Sequence, residues 1–375
     1  MENDNKLKVL VMTNEYLPKI IGGLGIVATH LCRELSRNGV EVTVLCTGKS
    51  NRLTISKPNE NLRLLRFPKV PRYFNRTKQS FKAKSVLHAM STAGFAKPDI
   101  IHVHSTEFAD TSKMAKAQFH VPIVYSCHSL ASQGIYSPFG KNQTKLIRSA
   151  SQIIVPSRWQ IAATRGRYPH TTIHKFSVIP HGVKPITKQS KAAPTKLLYV
   201  GRLIPSKGID ALIKAIGLLS RNQKRVHVTI VGSGNASYQR KLKALTRRVG
   251  VTKRIRWVKQ CKFGAVQRMY ASYGAVIVPS KKESFCLVAL EAMANGVPLI
   301  STLSGGLKEF VNAQNAQIIS IVNSPNIARA VKAFWNNPSL AKNRVRNAHS
   351  TAEQYKWSSI ALQYQSLFTN LNKAE

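Results

Sequence analysis

Residues 278–311, from Val278-Pro279-Ser280 through Glu283 and Glu291 to Ser304-Gly305-Gly306-Leu307, constrain this chain more than any other stretch. A β-branched run, Ala275 to Val278, ends at Pro279. A helical pattern from Ser284 to Ala294 stops at Asn295-Gly296, with Pro298 beyond. Strand, polar turn and helix in that order are part of an open α/β sheet, and such sheets bind ligands at the carboxyl ends of their strands. The spacing puts Glu283 in the turn. Glu291, eight positions on, is a little over two turns along the helix at about 3.6 residues per turn and returns to the same face. Two carboxylates then flank one cleft, and the first amides of the helix are anion donors. The same residues also admit a plainer reading, with Glu283 favouring the helix N-terminus and Glu291 solvated.

The order Pro-Ser, Glu-x7-Glu, Glu-Ala-Met-Ala-x-Gly-x-Pro (residues 291–298) and Ser-Gly-Gly-Leu-x-Glu (residues 304–309) resembles the signature of the retaining GT-B glycosyltransferases of family GT4. The resemblance implies that Glu291 binds the ribose hydroxyls of a donor nucleotide and that Glu283 faces the transferred sugar. It also implies that the backbone amides of Phe285, Cys286 and Leu287 approach donor hydroxyls and phosphate. The family usually has glycine where this chain has Cys286.

Earlier segments follow the same order. Lys8 to Thr13 reads as a buried strand, Ile26 to Asn38 as a helix ended by Gly39, and Val40 to Cys46 as the next strand. The turn between them is glycine-rich but is not Gly-x-Gly-x-x-Gly, so a dinucleotide fingerprint is not met. The string Asn14 to Gly25 resembles the first loop of glycogen-synthase-like members, which implies that Gly22 and Gly23 let the backbone approach the donor diphosphate. Lys19 is given no role. His102 and His104 alternate with apolar residues on a strand from residue 98 to 105 and share one face; a helix is expected in the 76–93 region before it. Val121 to Cys127 is a strand that ends at His128. Tyr-Ser-Cys-His-Ser-Leu resembles the Thr-x-His segment of glycogen synthases, which implies that His128 contacts the donor sugar.

Lys196 to Val200 is a strand followed by Gly201-Arg202-Leu203-Ile204-Pro205-Ser206-Lys207-Gly208. Arg202 and Lys207, two cations on one turn before a helix, have the chemistry of a diphosphate clamp, the guanidinium as a fork and the ammonium as a point charge. The string resembles the family's Gly-Arg-Leu-x-x-x-Lys-Gly. Lys207→Ala is expected to lower turnover with little loss of fold. Val178 to Val183 resembles Ile-Pro-Asn-Gly-Val, with His181 at the asparagine. Trp357 to Leu371 has apolar residues at helical spacing, and the resemblance implies that this helix crosses back onto the first domain.

Composition bounds the rest. At 375 residues two domains are expected, and the resemblance implies what they are: an N-terminal Rossmann-like acceptor-side domain, 1–183; a linker, 184–195; a Rossmann-like nucleotide-sugar-binding domain, 196–355; and a returning helix, 356–375. No apolar run of about 18 residues is present, and the start lacks a signal-peptide pattern, so a cytoplasmic protein is expected. The cysteines Cys32, Cys46, Cys127, Cys261 and Cys286 are scattered without metal or disulfide spacing. The aspartates Asp4, Asp99, Asp110 and Asp210 form no Asp-x-Asp pair, so neither metal nor other cofactor is expected.

The formal charge of +42 implies long-range attraction to polyanions. Between Arg52 and Lys84 ten Lys or Arg accompany one acid, Glu60, with Phe67, Tyr73, Phe74 and Phe81 interleaved. A second basic stretch runs from Arg240 to Arg256. An anionic membrane surface, an anionic acceptor polymer and a generally basic surface all suit these patches; the basic and aromatic mixture of 52–84 favours the membrane. No nucleic-acid-binding motif is found.

The expectation is a GT-B fold of two Rossmann-like domains facing across a cleft, transferring a hexosyl group, glucose favoured, from a nucleoside-diphosphate sugar to a hydroxyl of a glycan, lipid or cell-wall polymer. A nucleotide-sugar 2-epimerase of the same fold and a non-catalytic polyanion-binding scaffold are the alternatives.

Overall fold

The computed structural model describes residues 6–185, 192–221, 225–259, 261 and 263–373, the side chain of Phe263 apart. Half of the expected linker, residues 186–191, lies outside the described residues. Two compact units divide the chain: residues 1–181 with 357–375, and residues 182–356.

The first unit runs β1 (Lys8–Met12), α1 (Gly23–Arg37), β2 (Glu41–Thr47), β3 (Thr54–Asn59), β4 (Leu62–Phe67), β5 (Phe74–Asn75), β6 (Ser80–Phe81), α2 (Ala83–Thr92), β7 (Ile100–Val103), α3 (Ala109–Phe119), β8 (Ile123–Ser126), α4 (Pro138–Ser149), β9 (Gln152–Val155), α5 (Arg158–Arg167) and β10 (Phe176–Val178). Its sheet has the order β10-β9-β8-β7-β1-β2-β4-β3. All pairings are parallel except that of β3 with β4. Strands β1, β7, β8 and β9 are short apolar runs buried almost throughout, as a sheet covered on both faces requires.

The second unit runs β11 (Lys196–Val200), α6 (Ile209–Arg221), β12 (His227–Val231), α7 (Ala236–Arg248), β13 (Ile255–Val258), α8 (Phe263–Met269), β14 (Ala275–Val278), α9 (Leu287–Ala294), β15 (Leu299–Ser301), β16 (Gln317–Ile318), α10 (Ser324–Asn336) and α11 (Pro338–Glu353). The all-parallel sheet has the order β13-β12-β11-β14-β15-β16. Its entry and exit are joined, because the Val183 amide donates to the Tyr355 carbonyl at 2.7 Å. Both units are Rossmann-like. In each the strand order reverses beside the first strand, at β1/β7 and at β11/β14.

The last helix, α12 (Trp357–Lys373), belongs to the first unit. Trp357, Ile360, Ala361, Tyr364 and Phe368 are its buried face. Trp357 stacks on His30 of α1, ring centroids 5.4 Å apart, and Tyr364 and Phe368 lie against His102 of β7 at 5.5 and 5.2 Å.

Several local expectations are corrected. Residues 74–81 form a short hairpin, β5–β6, and only 83–92 of the expected 76–93 helix is helical. The interleaved aromatics are core residues: Phe67, Tyr73, Phe74 and Phe81 are all buried, and Phe81 stacks on Phe108 at 4.4 Å. An aromatic ring in the core cannot insert into a bilayer, so the mixture that favoured a membrane surface reduces to its charge. The second basic stretch does lie outside. On α7 the chain buries Leu242, Leu245 and Thr246 and leaves Arg240, Lys241, Lys243, Arg247 and Arg248 exposed. No described helix is long and apolar enough to cross a membrane.

Candidate donor site and histidine column

Loops that leave the two strands flanking a reversal of strand order end side by side, which is how this topology builds sites. In the second unit those loops are 201–208, after β11, and 279–286, after β14. They touch at Gly208, whose φ of +68° suits glycine; a Cβ there would fall 2.0 Å from the Pro279 carbonyl oxygen. The Lys281 amide donates to the Ser206 carbonyl at 2.8 Å. This contact brings Lys207 to Glu283, with Nζ 2.5 Å from Oε1.

Glu283 is held at one carboxylate oxygen and at its carbonyl. Oε1 also accepts from Ser280 Oγ at 2.8 Å. Its carbonyl accepts from the Gly306 amide at 3.0 Å. Ser280 is fixed in turn, because Thr302 Oγ1 and Ser304 Oγ donate to its carbonyl at 2.8 and 2.7 Å. The carboxylate and the ammonium are both largely buried.

Helix α9 starts at Leu287 rather than Ser284, because Cys286 before it has φ +93° and ψ +81°. Glu283 therefore lies outside the helix, and the shared-face argument for the two glutamates does not hold: each has its own partners. Glu291 is buried on α9 and accepts from Tyr270 Oη at 2.6 Å. Burial raises its carboxyl to about 7, against hydrogen bonds from Tyr270 and Gln267 that lower it. The side chains of Phe285 and Leu287 turn into the core, Phe285 against Phe310 at 4.8 Å, so only their main chain is available to a ligand. Arg202 is exposed, and its carbonyl accepts from Tyr199 Oη at 3.1 Å.

In the first unit Gly22 and Gly23 form the turn into α1, which begins at Gly23 rather than Ile26. Glu15 explains the earlier start: its Oε2 accepts from the amides of Ile21 and Gly22 at 2.8 and 2.9 Å. A carboxylate in that place satisfies donors at the beginning of a helix. The Gly22 amide is thus taken within the chain, while the position of its absent Cβ meets nothing within 4 Å.

His128, after β8, is one of four neighbouring imidazoles, of which His104 and His128 are stacked. The His102 and His104 rings are 4.2 Å apart, His104 and His128 5.2 Å, and His128 and His181 5.3 Å. Ser126 Oγ is 2.8 Å from His102 Nε2, and His104 Nδ1 lies 2.9 Å from His128 Nε2. One of these two rings donates and the other accepts. Burial lowers His102 to about 3 and His128 to about 4, and lowers His104 and His181 well below the ordinary range, each helped by neighbouring imidazoles except His128. The His104 and His128 rings stack, and the other two pairs are tilted. Among the described residues no group of three or more His, Cys, Asp or Glu is arranged to hold a metal ion.

The second unit thus brings together Lys207, Glu283, Cys286 and, on the adjoining helix, Glu291. Sequence reasoning passed over Ser280, Tyr270, Glu15 and His181. A usable signal existed for two of them: Glu15 is an acid inside a glycine loop of an acid-poor chain, and His181 stands where the family pattern has asparagine.

Comparison with known proteins agrees with this architecture. The chain is 27% identical over 387 residues to a glycogen synthase of Mycobacterium tuberculosis, covering 95% of this chain and 92% of that protein. Among solved structures, sucrose-phosphate synthase from Thermosynechococcus elongatus superposes with a TM-score of 0.82 at 20% identity, covering 99% and 100% of the two chains. HepE of Anabaena gives 0.77 at 19%, covering 97% and 99%. The catalytic domain of starch synthase IV from Arabidopsis thaliana gives 0.76 at 19%, covering 98% and 100%. These likenesses identify the fold as GT-B. Residues 184–351 match the family described as glycosyl transferases group 1, residues 21–185 match glycosyltransferase family 4, and the chain belongs to these group 1, family 4 glycosyltransferases.

Proposed function

We propose that this protein is a retaining, metal-independent hexosyltransferase that uses a nucleoside-diphosphate sugar, with glucose the favoured sugar, and delivers it to a hydroxyl of a glycan, lipid or cell-wall polymer. The observation that carries this reading is the meeting of Lys207 with the immobilised carboxylate of Glu283 beside the helix that bears Glu291. The names of the similar proteins support the donor class: HepE was solved with UDP and glucose, and starch synthase IV with ADP and acarbose.

In this reading Glu291 accepts the ribose hydroxyls, and Arg202 and Lys207 face the diphosphate with the main chain of residues 285–287. Gly22 and Gly23 leave room for the diphosphate to approach. To His128 the reading gives the sugar contact implied by the resemblance. Retention by double displacement needs a pair of carboxylates about 5 to 5.5 Å apart, one of them a nucleophile. Glu283 is held by Lys207 and Ser280 and is poorly placed to attack. The reaction is instead a same-face substitution. The bond from the anomeric carbon to the diphosphate oxygen breaks as the acceptor oxygen bonds to that carbon, and the acceptor proton passes to the leaving diphosphate. Arg202 and Lys207 stabilise the charge that develops there, a contribution of about 3 kcal/mol for one well-placed donor, and so take the place of a metal.

Thermal melts with ADP-, UDP- and GDP-sugars test the reading. A donor at about 100 times its dissociation constant adds about 2.7 kcal/mol. A Tm rise with one nucleotide series, lost in Glu291→Ala, is the expected result; no rise with any of them would overturn it.

A further inference from the structure

The histidines of the first unit have their protons placed by what surrounds each ring nitrogen. A neutral imidazole carries one N–H and one bare nitrogen. Burial holds His104 and His128 neutral at ordinary pH, so each has a single proton to place. The nitrogens that face each other, His104 Nδ1 and His128 Nε2, are 2.9 Å apart. The far nitrogen of His104, Nε2, is buried and has no hydrogen-bond partner among the described residues. A proton there would strand a buried donor, which folded proteins avoid more strictly than an unused lone pair. The proton of His104 therefore sits on Nδ1 and is donated to His128 Nε2. One ring deeper the same rule applies. His102 Nδ1 is the buried nitrogen without a partner, so its Nε2–H donates to Ser126 Oγ at 2.8 Å. With Nε2 accepting, His128 must carry its own proton on Nδ1. His102 and His104 are buried, whereas His128 keeps exposed surface. Its Nδ1 has no partner among the described residues, yet is not a buried atom.

We propose that His104 is a positioning residue that fixes the tautomer of His128, so that His128 presents Nδ1–H, a neutral donor, to an oxygen of the sugar. The one bare nitrogen of His128 is occupied inside the protein. The ring therefore cannot take the acceptor's proton through Nδ1, which agrees with the transfer of that proton to the leaving diphosphate. This rests on the reading of His128 as a contact of the sugar.

The test begins with wild-type protein isotope-labelled at the histidine ring nitrogens and long-range proton–nitrogen NMR at neutral pH, with His128→Ala identifying the His128 signals. A pyrrole-type Nδ1 and a pyridine-type Nε2 are expected for His128. Donor hydrolysis is then measured with the nucleotide sugar that raises Tm, UDP-glucose first. In His104→Leu, kcat falls about tenfold, the worth of one hydrogen bond, while affinity for the nucleoside diphosphate alone stays within about twofold. His104→Asn keeps an amide N–H near the place of Nδ1 and recovers most of the lost kcat together with the pyrrole-type Nδ1 of His128, which a residue that only filled space would not do. A pyridine-type Nδ1 on His128 in the wild type overturns the proposal and needs no variant at position 104 to fold. Unchanged kcat in His104→Leu, with His128→Ala impaired, overturns it as well. Full kcat in His128→Ala shows instead that the reading of His128 as a sugar contact has failed, and the proposal falls with it.

Discussion

The hydroxyl of Tyr270 donates a 2.6 Å hydrogen bond to Oε2 of Glu291 inside the second unit. Burial nevertheless keeps that carboxyl at about 7, well above its value of 4.5 in the unfolded chain. Between those two values the folded protein holds a proton that the unfolded chain has lost, so this group's contribution to stability is full below about 4.5 and is lost as pH rises through about 7. The loss amounts to about 3 kcal/mol. Glu291→Gln, which cannot ionise, should gain about that much on the wild type between pH 4.5 and 8 in urea melts. Parallel pH curves for the two proteins would contradict this.

The histidine column acts in the opposite direction. His102 and His128 are depressed to about 3 and about 4, so their contribution is full above about 6.5 and is lost as pH falls towards those values. Each histidine costs about 1.4 kcal/mol per pH unit in that window. His102→Gln keeps a polar group for Ser126 and removes one titration. Its urea midpoint should fall less between pH 7 and pH 5 than that of the wild type, and an equal fall would show that His102 protonates without penalty.

Lys207 is paired with a buried carboxylate besides the role proposed for it, which changes the expectation that its loss would spare the fold. Removing it leaves Glu283 buried without its cation, and breaking one side of such a pair costs about 3–5 kcal/mol. Lys207→Ala should therefore lower both turnover, by about a hundredfold or more, and Tm. Adding Glu283→Gln should restore much of the Tm but none of the turnover. If the double variant melts below Lys207→Ala, the two side chains are not coupled as described.

Phe81 separates core from surface in the basic segment. It is about fully buried and stacked on Phe108, so Phe81→Ala should cost about 3–5 kcal/mol of stability. Binding of the folded variant to vesicles containing anionic phosphatidylglycerol should match the wild type. Weakened vesicle binding at unchanged Tm would place the ring outside.

What could be read in the sequence was what punctuation and periodicity mark. Strand β11 and the Gly201–Gly208 turn stand out because glycine and proline bound them, and α12 because its apolar residues recur at helical spacing. The ion pair could not be read, since Lys207 and Glu283 lie 76 positions apart and meet only because two loops converge where strand order reverses. The β5–β6 hairpin escaped for a different reason: two-residue strands carry no period, and their aromatics suit a basic surface as well as a core. The start of α9 was misread because pattern alone does not reveal a left-handed cysteine.

The chain order has a consequence for synthesis. Residues 182–356 form a unit nested inside the other, with Val183 and Tyr355 hydrogen-bonded where it begins and ends. The first unit begins before that insertion and is finished after it, since α12 supplies the Tyr364 and Phe368 that cover His102. On the ribosome the inserted unit can therefore be complete before the unit that flanks it, whose closing helix is made later.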